Sequence, residues 1–197
     1  MQTVEVTDYQ KSWIDKFNVE ADMLRNSIGF LSPVIHHIGS TSVSGLSAKP
    51  VIDILIEVDD VRSLDDHLKI LEAIGYQGRG ENGIPGRRYL EKGGDDRTHQ
   101  IHAFNRGSFG ATRHLAFRDY LIRHPQIARE YALLKKQVAK ICNNDIDRYC
   151  AGKDEFIKKH EKLAVDWYTH NNHMRSEAAA RLDSNVMRPY LPGERGK

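Results

Sequence analysis

Apolar residues recur at helical spacing across residues 10–28, where Trp13, Phe17, Ala21, Leu24 and Ile28 fall on one face and predict a first helix. Pro33 breaks that period, and Val34-Ile35-His36-His37-Ile38 reads as a short strand running into Gly39. A segment rich in Gly, Ser and Thr then leads to Pro50. Residues 50–58 (PVIDILIEV) predict a strand buried on both faces, which makes its acids Asp53 and Glu57 conspicuous. Val61, Leu64, Leu68 and Leu71 form the stripe of a helix near 61–74, stopped by Gly75. A loop containing Gly78, Gly80, Gly83, Pro85 and Gly86 precedes two extended segments, 87–92 and 97–104, with Gly93-Gly94-Asp95-Asp96 as the turn of a hairpin.

After about Gly110 the pattern is helical. Residues 111–123 come first, and Pro125 stands where a helix-starting proline belongs. Ile127, Tyr131, Leu134, Val138 and Ile141 make the clearest amphipathic stripe. A third helix near 153–169 would bury Phe156, Leu163, Ala164 and Trp167. The order predicts an α+β fold, a small mixed sheet with flanking helices followed by a C-terminal helical half. A single domain is expected over 1–172, sheet-containing to about 109 and helical from 110. The apolar period fades after Asn172, and 173–197 read as a mobile tail with a turn or two of helix near 177–182.

Charge adds little to this picture. The chain has 29 Lys and Arg against 27 Asp and Glu, and the five basic and three acidic residues from His173 onward leave the rest balanced at 24 each. The basic excess belongs to the tail and is weak support for nucleic-acid binding. No apolar run reaches the roughly 18 residues that span a bilayer. The N-terminus lacks a signal-peptide pattern, so no membrane partner is expected and the cytoplasm is the expected location. Cys142 and Cys150 cannot build a disulfide framework and read as free thiols.

Candidate chemistry is concentrated in HIGSTSVSGLSAKPVID, residues 37–53. A strand end followed by Gly39-Ser40-Thr41-Ser42 offers hydroxyls and freed backbone N–H groups, a combination suited to phosphate oxygens. It is not a Walker A loop, because five residues separate Gly39 from Gly45 and Leu46 follows. The alternative is a Ser/Gly-rich connection that only caps the next element. Asp53, thirteen residues after Ser40, favours a site, since an ionised carboxylate in an apolar strand needs a cation or donors to meet it.

This Gly-Ser turn, short helix and strand acid resemble the core of the nucleotidyltransferase superfamily, and the whole segment closely resembles the GrpB family, bacterial proteins placed in that superfamily. The resemblance extends through Asp8-Tyr9, Trp13 and Phe17, Arg88, Thr98–His102 (THQIH), Leu115–Leu121 (LAFRDYL), Tyr131–Lys135 (YALLK), Lys153 and Phe156-Ile157. It implies a nucleotidyltransferase-like core. It further implies Asp53 as catalytic carboxylate, and Gly39, Ser40, Thr41, Ser42, Lys49, Arg88, His102 and Arg118 as phosphate or ligand contacts. Asp53 with His102 could share one Mg²⁺ or Mn²⁺.

The superfamily's two-metal pattern is incomplete. Asp53 should pair with residue 55, which shares its strand face, but that residue is Leu. Glu57 is four residues away, roughly 13 Å at about 3.3 Å per residue, too far to serve the same ion pair and better suited to solvent or a basic neighbour. The third-carboxylate strand offers Thr98, Gln100 and His102 on one face, none of them acidic. His99 and His102 point to opposite faces, as do His36 and His37, so neither pair is a ligand set. Gln100, where the family often has His, and Ser44, where Pro is usual, are this chain's own departures. Three readings stand: a nucleotidyltransferase with an incomplete carboxylate set, a non-catalytic module binding a nucleotide or other phosphate-bearing metabolite, and an interaction protein whose motif is structural.

Overall fold

The computed structural model describes residues 4–186, with side-chain surroundings through Asn172 and at Met174; residues 1–3 and 187–197 lie outside the described residues. Helix α1, Ser12–Ile28, presents Trp13, Ala21, Leu24 and Ile28 to the interior, as its stripe predicts. Strand β1, Val34–Ile38, is followed by a 3₁₀ turn at Ser40–Ser42, and β2 spans Ile52–Val58. The helix predicted near 61–74 is broken in two, α2 at Ser63–Asp66 and α3 at Leu68–Ala73. His67 leaves the helical region at φ −112°, ψ 13°, while Leu64 and Leu71 still reach the core. A three-residue strand β3, Tyr76–Gly78, precedes β4, Arg88–Lys92, and β5, His99–Asn105.

The five strands form one mixed sheet in the order β1-β2-β5-β4-β3. Strands β2 and β5 are parallel, every other neighbouring pair antiparallel, and β4–β5 is the predicted hairpin. Strand alternation sorts side chains to two faces. Ile52, Ile54, Ile56, Leu90, Ile101 and Ala103 pack under α1, α2 and α3 with Trp13, Leu24, Ile28, Leu64 and Leu71. On the opposite face, Leu55, Ile38 and Phe104 pack against Ala111 of α4, which spans Phe109–Arg123.

Helix α5, Pro125–Ile141, starts at its proline. Val43 and Leu46, from the loop between β1 and β2, pack with Leu121, Ala128 and Tyr131, so the helical half lies directly on the Gly-Ser turn. Helix α6 spans Ile146–Val186, beginning before and ending well after the predicted 153–169. It runs through the first part of the segment expected as a tail, whose remainder, 187–197, lies outside the described residues. Among the described residues no helix is long and apolar enough to cross a membrane.

Candidate functional site

The Gly-Ser turn is shaped by a glycine requirement. Gly39 has φ +68°, and a Cβ there would overlap the Asp53 carboxylate, so only glycine lets the turn backbone lie against that acid. Ser42 Oγ donates to Gly39 O at 2.6 Å, closing the 3₁₀ turn with its own hydroxyl. Thr41 is buried, and its Oγ1 shares a 2.9 Å hydrogen bond with His37 Nε2. His37 stacks on Phe17, and burial pushes its pKa down to about 4. Ser40 faces the open side, where its Oγ accepts a hydrogen bond from Lys135 Nζ at 2.8 Å.

A cleft of about 470 Å³ opens at the Asp53 end of the sheet. The sheet supplies Asp53, Gln100, His102 and Tyr89; α5 supplies Lys135; and α6 closes the far side with Tyr149, Cys150 and Lys153. Five cationic side chains line it (Lys49, Arg87, Arg97, Lys135 and Lys153) against two carboxylates, Asp53 and Asp147. Such an excess in a concave, partly desolvated site favours an anion.

Lys135 is 2% exposed, with its ammonium 4.4 Å from the Tyr131 ring centroid. Burial, reinforced by Lys153, depresses its pKa to about 7, and Asp53 opposes that shift. Lys49 is also lowered, by burial first and Lys153 second. Arg97 pairs with the Glu91 carboxylate and donates to Tyr89 Oη at 3.3 Å. Arg87 is buried and held by the carbonyls of Glu81 and Asn82, at 3.2 and 2.7 Å, without a salt bridge to a carboxylate among the described residues.

Of the residues singled out from sequence, Ser40, Thr41, Lys49, Asp53 and His102 line the cleft, with Gly39 against Asp53 behind it. Three do not. Ser42 spends its hydroxyl on the turn and lines a separate surface hollow with Leu121 and Pro125. Arg88 points to the opposite sheet face, where Nε and Nη2 each donate to Asp65 at 2.7 Å. Arg118 supports β1 from behind, donating to His37 O at 3.1 Å and to Asp119 at 2.7 Å. Arg87, Arg97, Lys135 and Lys153 were not singled out as site residues. Tyr89 pairs with His102 in register, a signal that this strand face, and not that of Arg88, looks into the cleft.

Asp53 is less enclosed than its apolar strand predicts. Its side chain is 27% exposed, because it sits near the start of β2 where the sheet meets the cleft. Leu55 is fully buried with Phe104 and Ala111, so the second carboxylate position belongs to the core. Gln100, level with Asp53 on β5, occupies the third. Glu57 is buried and does not meet solvent; it accepts from Gly107 N at 2.9 Å and lies 3.2 Å from His36 Nε2. Among the described residues no group of three or more His, Cys, Asp and Glu can hold a metal ion, so a two-ion centre does not fit. His102 Nε2 is 3.7 Å from Asp53 Oδ1.

Comparison with known proteins agrees with this architecture. Residues 3–163 match the family model described as GrpB protein. The UPF0157 protein YqkA of Bacillus subtilis is 46% identical over 164 residues, covering 83% of this chain and 48% of that protein; the chain thus spans about half the length of this relative. The crystal structure of the conserved protein GrpB from Enterococcus faecalis superposes with a TM-score of 0.79 at 44% identity, covering 83% of this chain and 99% of that one. The GLD-2/RNP-8 complex matches at a TM-score of 0.50 and 12% identity over 68% of this chain and 56% of that one, a likeness of fold alone. The α+β class with nucleotidyltransferase-type topology is therefore the observed one.

Proposed function

The chain belongs to the GrpB family, and from that premise we propose that its cleft binds a nucleotide or another phosphate-bearing small molecule. The observation that carries this reading is the five-to-two excess of basic over acidic side chains around Ser40 and Asp53. Ser40 Oγ and Lys135 Nζ would meet a phosphate at the turn, with Lys49 and Lys153 supplying charge at the rim. Burial lowers the Lys135 pKa to about 7, and a phosphate bound beside it would favour its protonated form.

A single Mg²⁺ or Mn²⁺ entering with the ligand would have Asp53 as its protein carboxylate, with water and phosphate oxygens supplying its other ligands. Leu55 and Gln100 favour a second reading on the same fold, a binding module without two-ion catalysis.

Calorimetric titration with ATP, ADP and pyrophosphate, with and without Mg²⁺, tests the proposal. Lys49→Met with Lys153→Met should weaken binding by about tenfold or more, as two charge-assisted contacts are lost, while the melting temperature changes little. Unchanged affinity in the double variant would remove the cleft from consideration. Nucleotidyl transfer that disappears in Asp53→Asn would instead favour the enzyme reading.

A further inference from the structure

His102 has one ring nitrogen toward Asp53 and the other toward a cation. Its Nδ1 lies 3.3 Å from Arg87 Nη1, and its Nε2 lies 3.7 Å from Asp53 Oδ1. A guanidinium has five N–H donors, no acceptor, and stays protonated throughout the range in which proteins fold. The Nδ1 that meets it must therefore offer its lone pair. A neutral imidazole with an unprotonated Nδ1 carries its hydrogen on Nε2.

Arg87 cannot easily turn away from this contact. Its Nε and Nη2 are bound to the carbonyls of Glu81 and Asn82, and its guanidinium carbon lies 4.9 Å from the Tyr89 ring centroid. The loop between β3 and β4 thus folds back to aim one N–H at His102. The groups around the imidazole are Arg87, Tyr89, Asp53 and His114, the last with its ring centroid 5.0 Å away. Burial holds the His114 pKa well below the usual range, so it adds no second cation.

We infer that Arg87 is a positioning residue that fixes His102 as the Nε2–H tautomer, so that His102 enters the cleft as a hydrogen-bond donor beside Asp53 and not as a metal ligand. A ligating nitrogen needs a lone pair, and the one that faces Asp53 carries a proton. Asp53 Oδ1 and His102 Nε2 then present an acceptor beside a donor. The chemical class this pair suits is an oxygen of the ligand, either a phosphate oxygen taking the His102 hydrogen bond or a hydroxyl accepting from His102 and donating to Asp53. The oxygen-binding role rests on the reading of the cleft as a phosphate site; the tautomer does not.

Long-range ¹H–¹⁵N correlation spectra of the ligand-free protein at pH 7.5 read the tautomer directly. Nδ1 of His102 should resonate as an unprotonated, pyridine-type nitrogen and Nε2 as a protonated, pyrrole-type one. The reverse pattern overturns the inference whether or not any nucleotide binds. Arg87→Met should mix the two patterns, and persistence of one pure Nε2–H tautomer in a folded variant would show that Arg87 does not set it. In titrations with pyrophosphate, His102→Gln, whose amide N–H replaces Nε2–H, should keep affinity within about threefold, and His102→Phe should lose about tenfold. With Mn²⁺ present, His102→Phe should leave the metal-dependent gain in affinity intact, whereas loss of that gain would return His102 to the ligand set.

Discussion

Lys135 is the residue whose chemistry departs furthest from its sequence. A lysine in an amphipathic stripe reads as a solvated charge, yet its ammonium is buried against Tyr131 and Ser40. In the folded chain it loses its proton near pH 7, against about 10.4 when unfolded. Between those values the unfolded chain binds the extra proton, so stability from this group rises with pH and its desolvation cost is fully present below 7. The slope approaches about 1.3 kcal/mol per pH unit near the middle of that window. Urea denaturation at pH 7.5, 8.5 and 9.5 should show wild type gaining stability as pH rises through this window, whereas Lys135→Met, which lacks the group, has the shallower pH dependence. Parallel curves for the two proteins would show that Lys135 keeps its proton. At this scale Gly39, Ser40, Thr41, Lys49, Asp53 and His102 were legible because they lie in one continuous motif or on the facing strand. Lys135 was not, because 95 residues separate it from Ser40 and only the packing of α5 joins them.

Between elements, the contact of α1 with the sheet contains a buried ion pair that periodicity alone does not announce. Glu20 is buried, accepts from Lys92 Nζ at 2.8 and 3.1 Å, and lies 3.8 Å from His99 Nε2. It joins α1 to both β4 and β5. Removing one partner of a buried pair strands the other, at a typical cost of about 3–5 kcal/mol when neither can reach water. Lys92 is 22% exposed and can be partly rehydrated, so Glu20→Ala should cost about 2 kcal/mol by chemical denaturation. Removing both charges in Glu20→Ala with Lys92→Met should recover part of that loss. A double variant as unstable as the two single effects added together would mean that the pair is not coupled. Helices α1 and α5 were legible from their apolar period, β2 from a continuous apolar run buried on both faces, and β1 as a short run between Pro33 and Gly39. β3 was missed because three residues give no period, and the extent of α6 was underestimated because a helix can continue after its apolar stripe fades.

At the scale of the whole molecule, the cleft exists only where the two halves meet. The sheet-containing half provides Asp53, His102 and Arg87, and the helical half provides Lys135 and Lys153. Their junction is packed as well as charged. Leu46 and Val43 lie with Leu121, Ala128 and Tyr131, while Leu55 and Phe104 lie with Ala111. These two apolar clusters tie α4 to both the turn and the sheet, so packing and not the exposed connection at Asn105–Gly107 holds the halves together. We predict one cooperative unfolding transition, with calorimetric and van't Hoff enthalpies equal within error. Limited proteolysis should first cut the loop within residues 79–87, where Gly80, Gly83 and Gly86 all adopt positive φ and most of the chain is exposed. Because that loop also holds Arg87, pyrophosphate in the cleft should slow the cut by restricting local opening. Early cleavage near residues 105–112 into two stable fragments would contradict the single unit. A loop cut at the same rate with and without bound pyrophosphate would separate Arg87 from the ligand.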